Sequence, residues 1–255
     1  MSFECAATAH LGPDDVALVV HQGHIGRHIG FAVFTDKGKH EFLHLAFHKR
    51  VTFEDYPPKA CSIVGKLPFD RVGLFSLKKA LWKIGKKAQQ KSPAISIPFG
   101  VSIDTKKGSF NKDGVYKTPE RAPGVQADGL TCATFVTEIC RGVGLKLVED
   151  SDWHVRAEDS VWIDQICDML RDPRAGAEAD HIAHVKASFT GVRIRPEEVA
   201  GAATLWNKLP LKCLPAEAEG LNIIDKLVEC CAKADHAPAA MVTTTIEQTE
   251  LTESM

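Results

Sequence analysis

No run of apolar residues in this chain approaches the length needed to cross a bilayer. Its opening, MSFECAATAHLGPDD, lacks the basic start and apolar centre of a secretory signal. Neither sign of charge is in excess: 31 Lys and Arg stand against 33 Asp and Glu, a net −2 that removes the electrostatic case for binding nucleic acid. The eight cysteines (5, 61, 132, 140, 167, 213, 230, 231) include no CxxC pair and no regular spacing. Neither a disulfide framework nor a structural zinc site is expected from them, and most read as small buried hydrophobes. These absences lead us to expect a cytoplasmic protein, or an effector exported without a signal peptide, with no integral membrane segment, no metal and no cofactor.

What remains is an ordinary globular composition, 44% hydrophobic and 25% charged over 255 residues, enough to bury a sizeable core. Strand patterns come first. Residues 16–21 are an apolar run, 28–34 (HIGFAVF) and 41–47 (EFLHLAF) are rich in β-branched and aromatic residues, and 95–101 is a further edge-strand candidate containing Pro98. The segment 35–39 (TDKGK) suits a tight turn with Gly38 left-handed. Helical periodicity covers 76–91, 130–142, 158–171, 176–189, 196–207 and 219–234. Strands in the first half and helices in the second give an α+β class. The expected organisation is a core over 1–150, a helical extension packed on it over 151–235, and a disordered Thr-rich tail over 236–255. Lys78, Lys79, Lys83, Lys86, Lys87 and Lys91 fall on one side of the first helix and read as a solvated face.

Chemistry concentrates at Cys132. Phe135, Val136, Ile139, Cys140 and Val143 follow it at helical spacing, which places Cys132 in the first turn on the inward face, with Asp128 or Thr131 as cap. Helix N-terminal N–H groups favour a thiolate and could donate to an oxyanion. A buried core cysteine that merely begins a helix is the plainer alternative. The histidines favour chemistry. A turn closing Thr35 opposite Lys39 sets Gly30 against His44, with His28 one diagonal step away, about 7–8 Å at Cα. Such a pair suits a base and the partner that orients it.

The segment HIGFAVFTDKGKHEFLHLAF, followed about ninety residues later by LTCATFVTEICRGVG, resembles the permuted NlpC-type papain-like cysteine hydrolases and the related lecithin:retinol acyltransferase family. His28, Gly30 and His44 match the family's first His, its Gly and its second His, and Cys132 with Phe135-Val136 matches the nucleophile motif. The likeness covers roughly 15–145. Thr131 replaces the usual Asn or Asp, Ala133-Thr134 replaces the Glu-His of the acyltransferases, Ala32 stands where an aromatic is usual, and the acyltransferases' C-terminal membrane anchor is missing. The resemblance implies a circularly permuted papain-like antiparallel sheet with packed helices. It also implies a thiol hydrolase or acyltransferase with Cys132 as nucleophile, His28 as base and His44 orienting it, acting on peptides, cell-wall fragments or lipid-like substrates. Two alternatives stand beside it: an inactive binding module, and an interaction domain that engages a protein partner through its C-terminal helices.

Clustered His21, His24 and His28, and His40, His44 and His48, raise the question of metal. Strand geometry separates His44 from His48 too far for one ion, and His21 and His24 flank a glycine turn with no cysteine partner. His24 is the reserve base, because His24-Ile25-Gly26 mimics His28-Ile29-Gly30. His154, His181 and His184 read as surface or packing residues. The polar segment 102–127, just before Cys132, is long enough to serve as a lid.

Overall fold

The turn at 35–39 sets the sheet. Thr35 N–H donates to Lys39 C=O at 3.0 Å, and Gly38 takes φ +73°, a conformation side chains resist. The strands leave this turn in the register Phe34↔His40 to Phe31↔Leu43. The computed structural model describes residues 1–23, 26–58, 61–90, 95–103, 108–111, 113–118 and 129–235. His24, Asp128, Lys91, much of the lid segment and the tail therefore lie outside the described residues.

Six strands form one antiparallel sheet: β1 (Glu4–Cys5), β2 (Val16–Gly23), β3 (Gly26–Phe34), β4 (His40–Phe47), β5 (Arg50–Asp55) and β6 (Ser62–Lys66), in the order β1-β6-β2-β3-β4-β5. Period-two alternation sorts the side chains. Leu18, Val20, Ile29, Phe31, Val33, Leu43 and Leu45 face the main core, while Ala17, Val19, Ala32, Phe42 and Val64 form a smaller cluster on the other face.

Helices α1 (Arg71–Ala88) and α2 (Cys132–Gly142) cover the main face, and α2 is buried on nearly every side. The second half supplies α3 (Ala157–Arg171), α4 (Ala179–Ser188), α5 (Pro196–Thr204) and α6 (Cys213–Asp235). α5 and α6 pack on each other and on the sheet, with Val199, Ala203, Ile223 and Leu227 in the same core as Leu18 and Phe31. The molecule is thus α+β with an antiparallel sheet. Among the described residues, no helix is long and apolar enough to cross a membrane.

Several expectations change. Residues 95–98 form no ladder, and Phe99 makes only an isolated bridge with Leu130, because Pro98 has no N–H to donate and its C=O accepts from Leu130 N–H. The segment 102–127 contains a small hairpin, β7 (Ser109–Phe110) with β8 (Tyr116–Lys117), whose Phe110 is buried against Phe135. The lysines of α1 form ion pairs: Lys83 with Asp113 and Lys86 with Asp36.

The cysteines need the largest correction. Cys5 is bridged to Cys230 and Cys61 to Cys231, so the adjacent pair on α6 is tied to β1 and to the approach to β6. Scattered spacing concealed this, because the partners are 225 and 170 residues apart and meet only when α6 docks on the sheet edge. Cys132, Cys140, Cys167 and Cys213 are free thiols, and of these only Cys132 is not fully buried.

Candidate active-site cleft

Thr131 begins α2. Its hydroxyl accepts from Thr134 N–H at 3.1 Å while Thr131 N–H donates to Thr134 Oγ1 at 2.8 Å, a reciprocal cap that fixes where the helix starts. Cys132 is therefore the first helical residue, half-buried at the edge of the main core. Its sulfur lies against the backbone of Ile29 and Ala133. Burial outweighs those contacts and the nearby Arg193 charge, pushing the thiol up to about 11. Burial thus opposes the helix N-terminus, which favours a thiolate.

His28 and His44 meet as the register requires, Nε2 to Nδ1 at 2.5 Å. Gly30 makes this possible: a Cβ there would lie 2.5 Å from Leu43 O and 2.7 Å from His44 Cβ. The β3–β4 ladder ends at Phe31↔Leu43, one residue short of Gly30. Alternation places His28 and His44 on the face opposite Ile29, while Cys132 reaches β3 at the Ile29 backbone, next to His28 in sequence.

Glu54 extends the pair. Its Oε1 lies 3.0 Å from His44 Nε2, oblique to the ring N–H. In β5, Glu54 stands opposite Phe42 and His44 opposite Thr52, so the His44–Glu54 contact repeats the diagonal step of His28–His44. Burial holds His44 down to about 4, hence neutral, and the His44 imidazole beside it lowers Glu54. A carboxylate beside Nε2 places the proton of neutral His44 there and leaves Nδ1 as acceptor. With that tautomer, His28 Nε2–H is the donor to His44 Nδ1. Glu54 was not singled out in the sequence because 50–55 was not read as a strand. The alternation in RVTFED was the signal. His21, directly across from His28, stacks at 5.2 Å between ring centroids and completes a group of three rings with Phe42 beneath.

These groups line one cleft of about 780 Å³. Leu45, Phe47, Phe99, Trp162, Ile166 and Met169 give it an apolar wall, and Arg193 stands with Cys132 at the polar end. His48 sits deeper in the same wall. It accepts from Phe99 N–H at Nδ1 (3.2 Å), packs 4.6 Å from His181, and is held down to about 4 by burial. His181 is accordingly a buried packing residue. His154, Cys213 and Glu217 bring potential ligand atoms within 4.8 Å of one another, but Arg156 donates to Glu217 at 2.6 Å and opposes a cation there.

No protein-family model, curated protein or solved structure matches this chain.

Proposed function

We propose that the protein is a thiol-dependent hydrolase or acyltransferase on a circularly permuted papain-like fold, working through an acyl-Cys132 intermediate. The observation that carries this reading is the Glu54–His44–His28 chain ending in the cleft that holds Cys132 at a helix N-terminus. Such a chain would fix one tautomer of His28 and orient the ring as a base.

The reaction starts from a neutral thiol. As the sulfur attacks an ester or amide carbonyl, its proton passes to His28, and the carbonyl oxygen becomes an oxyanion near the Ile29 and Ala133 backbone. His28 returns the proton to the departing alcohol or amine, leaving a thioester. Water, or an acceptor alcohol or amine, then attacks; its proton goes to His28, and the thiol is restored as the product leaves. His44 and Glu54 are positioning residues that keep His28 oriented. The class of scissile bond is an amide, peptide or ester.

The reading is tested by mass spectrometry of the intact protein after mixing with activated acyl esters. Acylation at Cys132 that is lost in Cys132→Ala and at least 100-fold slower in His28→Ala supports it. Absence of a Cys132 adduct across aromatic, aliphatic and peptidyl esters overturns it.

A second reading, a binding module that keeps the cleft without the chemistry, is favoured by the burial that pushes the Cys132 thiol up. It predicts ligand binding in the cleft that is indifferent to His28→Ala.

A further inference from the structure

Arg193 is held on three sides. Its Nε lies 3.3 Å from Asp159 Oδ1, its guanidinium sits 3.9 Å over the Trp162 ring, and its carbonyl accepts from Arg156 Nη2 at 2.6 Å. Arg156 is itself buried in a network with Asp159 and Glu198, so the support under Arg193 is rigid. The ion pair of Arg193 with Asp159 uses Nε, and Arg193 lines the cleft together with Cys132.

The other cleft cations are engaged or peripheral. Arg27 pairs with Glu197 at 2.7 Å, Arg174 with Asp172 at 2.5 Å, and Arg50 is exposed at the rim. Asp159 is shared among Arg193, Arg156 and Arg195, so one carboxylate does not neutralise its neighbours. Burial lowers Arg193 to about 10, against the opposing charges of Asp159 and Glu197.

We propose that Arg193 is the anchor for a carboxylate on the ligand, so that the cleft selects a singly charged anion bearing an aromatic or branched apolar group. A guanidinium fork matches a carboxylate geometrically. One guanidinium that already shares Asp159 matches a single negative charge rather than a phosphate dianion. From that anchor the ligand's apolar part runs along Phe47, Phe99, Trp162, Ile166 and Met169, which would cover a ring or short chain. The inference names the substrate class of the proposed reaction and rests on that reading only for what happens after binding.

The test separates the two. In Cys132→Ala protein, where no acyl transfer occurs, 3-phenylpropanoate and its uncharged amide are titrated by calorimetry. The carboxylate is expected to bind saturably and about tenfold more tightly than the amide. Arg193→Gln should remove the preference and Arg193→Lys keep part of it. Equal affinities, no saturable binding, or a preference that survives Arg193→Gln overturns the proposal. Should Arg193→Gln not fold, phenylglyoxal modification of Arg193 in the unmutated chain decides the matter. Protection by the carboxylate but not by the amide is expected, and equal protection or none overturns it.

Discussion

His44 and Glu54 stand in the same diagonal relation across β4 and β5 as His28 and His44 across β3 and β4, so one sheet geometry, used twice, lines up three titratable groups. The order of protons along that line follows from its acidic end.

Glu54→Gln removes the charge that places the His44 proton. Acyl transfer should fall roughly tenfold, and the pH–rate profile should shift, while His44→Ala costs about 100-fold. Rates measured from pH 5 to 10 check this. An unchanged profile in Glu54→Gln would mean the carboxylate is a bystander at the rim.

Iodoacetamide alkylation of Cys132 should keep accelerating as pH rises toward about 11, instead of levelling near the ordinary thiol value of about 8.5. Peptide mapping after timed alkylation reads the rate at that cysteine alone. A plateau by pH 8 would show that the thiol is already ionised in the cleft.

How much of this was legible beforehand depends on the range of each signal. The hairpin register was readable because TDKGK is a local turn signal and the alternation on either side is unbroken. α2 was readable because a cap and an apolar stripe lie within a dozen residues. Glu54 was hidden in a short strand whose hydrophobic content is low. Arg193 sits between helices in a segment without periodicity, and its role depends on Asp159, Trp162 and Arg156, which are brought to it by folding. The cysteine bridges were hidden for the same reason. The raised thiol could not be foreseen because burial is a property of the assembled cleft and not of the helix start.

Stability should fall as the medium becomes acidic. Folding keeps His44 and His48 neutral, both near 4 against an ordinary 6.5. As pH drops through 6.5 the unfolded chain takes up protons first, so the contribution is complete above about 6.5 and drains until about 4. The gap corresponds to at most about 3 kcal/mol at His44 and to less at the more solvated His48. At His48 the physical reason is plain: a protonated Nδ1 could not accept from Phe99 N–H. Denaturant unfolding at pH 7 and pH 4.5 checks this, and His48→Gln should flatten the slope between them.

Reducing the two bridges should cost about 2–5 kcal/mol in all. Melting with and without reductant measures it, and Cys230→Ser with Cys231→Ser should make the melting point insensitive to reductant. Non-reducing peptide maps should show Cys5 joined to Cys230 and Cys61 to Cys231.

Arg156→Ala should destabilise by about 3–5 kcal/mol, because Asp159 and Glu198 lose a buried cation between them. Replacing Arg156 together with Glu198 by apolar residues should recover part of that loss. If the single change costs under 1 kcal/mol, the network is not holding α3 to α5.

The link between residues 5 and 230 also bears on how the molecule carries load. Tension applied across those two positions runs through a few covalent bonds at the sheet edge and bypasses the sheet, the cleft and every helix before α6. A single-molecule pull on the oxidised protein from those points should therefore show almost no lengthening. After reduction, the same pull should release the intervening chain.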